Sequence, residues 1–170
     1  TFDPHKTTGY PLGYHYLLVF DTLVTRSPEG KLVGLLAKSW RLVSPKVVEF
    51  KLRKGIKFTN GEDVDAHAVK FSLERIMDPK LKSRQMGYFR SINRVEVVDK
   101  YTARLHTSRP DMFIIRPLAV YGQIVPPKYY KSKKLKYLAR HPVGSGPYIL
   151  KSWKKGSGMV YEANPNYWKP

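Results

Sequence analysis

FKLRKGIKFTNGEDVDAHAVKFSLERIMDP, residues Phe50 to Pro79, changes its hydrophobic period partway along, and that change decides the fold class. At its start Val48, Phe50 and Leu52 alternate with Glu49, Lys51 and Arg53, the period of two expected of a half-buried strand. Asn60 and Gly61 then supply a turn. Beyond them Asp65 stands where an N-cap belongs, and Val69, Leu73 and Ile76 fall at i, i+4 and i+7, one face of a helix over Ala66 to Met77. Asp78 and Pro79 stop it.

The same two periods recur outward. Val95 and Val97, then Tyr101, Ala103 and Leu105, alternate on either side of Asp99 and Lys100 as a hairpin would. Tyr148 to Trp153 and Met159 to Glu162 flank the glycine-bearing turn Lys154 to Gly158. Upstream, Leu12, Tyr16, Val19, Phe20 and Leu23 recur at helical spacing and predict a helix over 11–24, before the turn residues Ser27 to Gly30. Strands interleaved with two or three helices define an α+β, mixed fold with mostly antiparallel pairing.

At 42% hydrophobic and 26% charged, the 170-residue chain carries enough apolar surface to fold around a core. Its net charge of +18 attracts anions of any kind, and the sign alone names no partner. The basic residues run from Lys6 to Lys169, with one dense group at Lys131, Lys133, Lys134 and Lys136 and no nucleic-acid reading motif beside it. A solvated surface is the leading interpretation, and a nucleic-acid or anionic-surface module the alternative. The absence of cysteine excludes disulfides, thiolate catalysis and cysteine-ligated zinc. The five histidines, at 5, 15, 67, 106 and 141, lack metal-site spacing, so neither metal nor cofactor is expected. Asp63, four residues before His67, could orient that imidazole, but no nucleophile accompanies the pair, and no catalytic residue is assigned. Gly144, Ser145 and Gly146 resemble a phosphate cradle only in part, because Pro147 removes a donor and a strand follows.

Taken in order, FDPHKTTGY (Phe2 to Tyr10), VFDTLV (Val19 to Val24), GKLVGLLAKSW (Gly30 to Trp40), the Phe50 to Pro79 stretch, VEVVDKYTARLH (Val95 to His106), PVGSGPYIL (Pro142 to Leu150) and EANPNYW (Glu162 to Trp168) closely resemble the family-5 extracytoplasmic solute-binding proteins of bacterial ABC importers. The resemblance implies a periplasmic binding protein of type II, with two lobes closing on a ligand and a small subdomain embedded in the first. On that pattern residues 1–40 and 144–170 belong to the first lobe and 41–143 to the embedded subdomain. Family ligands include peptides, nickel complexes and other small solutes, handed to a membrane permease at the periplasmic or extracellular face of the cytoplasmic membrane. No enzymatic role and no nucleic-acid partner are implied.

The positions matching the family's cleft-lining segment are Thr8, Gly9 and Tyr10, whose backbone could pair with an extended peptide as an added strand. Tyr88 is a further ligand-binding candidate, in a stretch that can send an aromatic toward the cleft. Where the family commonly has an acidic residue closing a capping box, this chain has Ala68, so the cap is expected to rest on Asp65 alone. The sequence ends just after the family's NPNYW element, so the second lobe is expected to be missing. The amino- and carboxy-terminal segments are then expected either to self-associate or to be mobile.

Overall fold

The computed structural model describes residues 1–8, 12–154 and 156–169. The chain opens with an extended segment and then forms α1 (Leu12–Val19), β1 (Val24–Arg26), β2 (Leu32–Gly34), β3 (Ala37–Ser44) and β4 (Val47–Leu52). Next come α2 (Ala66–Met77), short 3-10 turns at Pro79–Leu81 and Met86–Phe89, and the hairpin β5 (Ile92–Asp99) and β6 (Thr102–Thr107). Helices α3 (Ile115–Tyr121), α4 (Pro127–Ser132) and α5 (Leu135–Leu138) lead to a last hairpin, β7 (Tyr148–Lys154) and β8 (Gly158–Ala163).

Among the described residues all strand pairs are antiparallel, so the expected mixed fold with mostly antiparallel pairing is the one observed. The four-stranded sheet has the order β3-β4-β6-β5, flanked by the ribbons β1-β2 and β7-β8. In the centre Phe50 pairs with Trp40 on one side and Ala103 on the other, while Leu105 faces both Val48 and Val95. The period-two residues Val48, Phe50 and Leu52 are all buried, and they join one core with Ala68, Val69, Leu73 and Ile76 of α2. The opposite period puts Glu49 between Arg41 and Arg104, at 2.9 and 2.8 Å. The hydrogen bond from Arg104, then that from Arg41, outweighs burial and holds this carboxyl below its usual range.

Two expectations change. The helix predicted over 11–24 ends at Val19, because the backbone beyond it is bonded to distant segments. The Asp21 carbonyl accepts from Ile124 N, the Thr22 carbonyl from Leu36 N and the Leu23 carbonyl from Leu35 N and Ala37 N. Residues 19–24 are buried without interruption, and in such a run helical and extended periods look alike. The second change concerns Asp63. It binds Lys57 and Lys100, at 2.8 and 2.9 Å, rather than His67, so the suggested acid–imidazole pair does not form.

A second, smaller core gathers the chain ends. Phe2, Tyr16, Val19 and Phe20 pack with Val125, Tyr130 and Leu138, and Leu150, Trp153 and Tyr161 of the last hairpin close over them. The glycine-rich turn serves this packing. A Cβ on Gly144 would lie 2.0 Å from the Val19 carbonyl oxygen, and one on Gly146 2.6 Å from the Val19 carbonyl carbon, so only glycine admits the approach. Gly146 N donates to that same oxygen at 2.9 Å. The turn is therefore a backbone docking point and not an anion cradle.

Candidate functional site: a cleft beside the amino-terminal segment

Two buried side chains, Asp3 and His5, and the largely buried Arg75 fix the amino-terminal segment. Arg75, in the last turn of α2, grips Asp3 with two nitrogens at 2.9 and 2.5 Å. The same guanidinium donates to His5 Nδ1 at 2.9 Å, and His5 Nε2 lies 2.8 Å from the Gln123 carbonyl. Arginine can only donate and a carbonyl can only accept, so the imidazole is neutral with its proton on Nε2. Burial, then the charge of Arg75, pushes His5 down to about 4, in agreement with that assignment. Burial opposes ionisation of Asp3, but the hydrogen bond and charge of Arg75 prevail and hold it below its ordinary value. Tyr130 stacks under the guanidinium, 4.9 Å from its centre.

From this anchor the backbone runs toward a cavity. Gln85, itself buried, donates to the carbonyls of Pro4 and Thr7, at 2.5 and 2.9 Å, and Ser83 donates to that of His5 at 2.6 Å. Thr7 and Thr8 are thereby presented along one side of a cleft of about 420 Å³. Tyr14, Tyr16 and Leu17 of α1 line it next, with Arg26 at the end of β1, and Val120 and Tyr121 of α3 close the far wall. Tyr88 stacks on Tyr121, ring centres 4.5 Å apart at 19°.

Of the residues singled out from the sequence, Thr8 lines the cleft and Tyr88 backs one of its aromatic walls. Gly9 and Tyr10 lie outside the described residues. The sequence reading missed Tyr14, Arg26 and Tyr121: the last two meet because α3 packs against β1 beside the Thr22–Gln123 bridge, and Tyr14 joins them from α1. Their one signal was an aromatic or basic residue in a short element, which is too common to single out a site.

Such a wall suits binding. It offers aromatic surface, backbone and hydroxyl partners and, among the described residues, one guanidinium and no carboxylate, imidazole or lysine in its lining. Among the described residues no three His, Asp or Glu side chains cluster so as to hold a metal ion. A larger cavity of about 610 Å³ lies between Gly34, Arg53 to Ile56 and Trp168. It shares no residue with the cleft, has a single aromatic, and Arg53 already lies over that ring, 5.4 Å from its centre, so we assign the site to the smaller cleft.

This architecture is that of the periplasmic binding proteins. The chain superimposes on AgaA from A. tumefaciens R10, solved with agropinic acid, with a TM-score of 0.92 and 32% identity, covering 99% of this chain and 34% of that one. It superimposes on Haemophilus influenzae OppA, solved with RPPGFSPFR, with a TM-score of 0.89 and 28% identity, covering 99% of this chain and 37% of the other. In sequence it is 32% identical over 143 residues to the glutathione-binding protein GsiB of Shigella dysenteriae, 84% of this chain and 28% of that protein. Residues 31–170 match the family described as bacterial extracellular solute-binding proteins, family 5 Middle. The chain belongs to that family. It spans less than two fifths of the length of the relatives it matches.

Proposed function

We propose that this chain forms one wall of the solute cleft in the binding component of an ABC-type importer, outside the cytoplasmic membrane, and that its solute is a peptide or a molecule of similar size and polarity. The observation that carries this reading is the Thr7–Thr8 segment, clamped from behind by Gln85 and facing a cleft walled by Tyr14, Tyr16 and Tyr121. An extended peptide laid there would hydrogen-bond to backbone near Thr8, Gly9 and Tyr10 whatever its side chains, with Tyr88 supporting the opposite wall. In this reading residues 1–40 and 144–170 belong to the larger lobe and 41–143 to the embedded subdomain. The solute is bound and released unchanged, then passed to a permease.

Titration of the chain with short unmodified peptides, followed by protein-observed NMR, tests the reading. One wall alone should bind in the millimolar range or weaker, with shifts at Thr7, Thr8 and Tyr121, and Tyr121→Ala should abolish them. Shifts confined to other residues would overturn the assignment of the cleft, and turnover of the peptide would overturn the binding role.

A further inference from the structure

The chain from Met112 to Tyr161 contains no Asp or Glu and ten Lys and Arg. The fold gathers much of that imbalance on one surface, where residues 131–137, across the end of α4 and the start of α5, are all exposed. Among the described residues no salt bridge is made by Lys133, Lys134, Lys136, Arg140 or Lys154. Three acids of neighbouring segments are engaged elsewhere. Glu62 accepts the backbone N–H groups of Lys128 and Tyr129, Glu74 pairs with Lys70, and Glu162 pairs with Lys151 on the neighbouring hairpin.

Between the lysines stand two exposed residues of another kind, Leu135 and Tyr137, 46% and 44% accessible. Tyr137 is held by its neighbours, stacked on His141 at 4.0 Å with Lys133 Nζ 5.5 Å from its ring centre. Behind it Arg140 lies over Trp153 at 5.1 Å and donates to the Trp153 carbonyl, tying the segment that follows α5 to β7. The surface is thus a supported plate of unpaired cations around an apolar and an aromatic tip.

We propose that this face, formed by α4, α5 and the β7 end of the last hairpin, rests on the anionic surface of a lipid bilayer. Lysines meet headgroup phosphates, while Leu135 and Tyr137 enter the interface, where a ring with a polar tip is favoured. Charge complementarity selects this occupant over a second copy of the chain, since two molecules of net charge +18 repel. The inference rests on the extracytoplasmic reading above, which places a membrane within reach. Its consequence is that the binding component is held near its permease by its own surface, reversibly and in a salt-dependent way.

Co-sedimentation with vesicles tests the idea without any solute, so its outcome is independent of the cleft. The chain should partition onto vesicles of equal parts phosphatidylglycerol and phosphatidylcholine, not onto pure phosphatidylcholine, and should detach as salt rises. Each basic residue near such a surface contributes about five-fold, so the triple variant Lys133→Gln, Lys134→Gln, Lys136→Gln should bind on the order of 100-fold more weakly. The control triple Lys31→Gln, Lys38→Gln, Lys46→Gln, of equal charge change on other exposed positions, should lose only a few-fold. Leu135→Ser should weaken binding at constant charge. Equal losses in the two triples would reduce the effect to net charge and overturn the proposal, as would no binding to the anionic vesicles. Tighter binding to a short DNA duplex than to the vesicles, with the same loss in the Lys133 variant, would assign the face to nucleic acid instead.

Discussion

At Asp65 a single side chain sets where the best helix begins. Its Oδ1 accepts the Ala68 backbone N–H at 2.9 Å while its own backbone is extended, the geometry of an N-cap. Because position 68 is alanine, no side chain reaches back to complete the reciprocal bond, and the cap has no partner to share the loss. Asp65→Ala should therefore lower stability by about 1 kcal/mol. Denaturant melts of the two forms check it, with equal midpoints excluding the role. This residue was legible in advance because a cap and its helix lie within one turn of each other. Tyr121 was not, since its partners at the cleft come from distant stretches of the chain, the amino-terminal segment and Tyr88 among them.

Among the elements, those that announced themselves are the ones whose burial follows a single period. Helix α2 buries Val69, Leu73 and Ile76 against the sheet and exposes His67 on the other side, so pattern and structure agree. Strand β3 reads AKSWRLVS and is mostly exposed, an edge strand whose sequence shows no alternation to find. Helices α4 and α5 are too short for a period and sit within a lysine-rich run. Nor could the sequence show that α2 holds the amino-terminal segment, although that contact positions the cleft. Arg75 and Asp3 are 10% and 1% exposed in their side chains, so removing one charge strands the other. Arg75→Leu should cost about 3–5 kcal/mol. Hydrogen exchange should then show residues 3–8 losing protection before α2 does. The double variant with Asp3→Leu should recover a large part of the loss, because no buried charge remains unpaired. Additive losses in the two single variants would show that the pair is not coupled.

For the molecule as a whole, two buried ionisable groups tie distant segments together and pull stability in opposite directions with pH. One is His5, joined to α2 and to Gln123. The other is Asp21, which follows α1 and accepts from Ser145 and Trp168 at 3.0 Å each, so that it holds both the glycine turn and the last residues described. Burial, against the help of those donors, pushes Asp21 up to about 6, whereas burial and Arg75 push His5 down to about 4. For His5 the folded value lies below the unfolded one, so its contribution is complete above about pH 6.5 and is lost as pH falls toward 4. For Asp21 the folded value lies above the unfolded one, so its contribution is complete below about pH 3.9 and is lost as pH rises through 6. Each shift corresponds to about 3 kcal/mol, and over the shared window from about pH 4 to 6 the two slopes oppose each other. The wild-type chain should accordingly show a shallow stability profile there. Asp21→Asn should expose the His5 slope, with unfolding midpoints falling steeply as the solution is acidified from pH 6 to 4. His5→Gln should do the reverse, leaving a chain whose midpoint rises on acidification over the same range. Urea melts of the three forms at several pH values measure both slopes. If the two variants gave profiles parallel to the wild type, neither group would titrate where its burial places it, and the opposition of the two buried knots would be wrong.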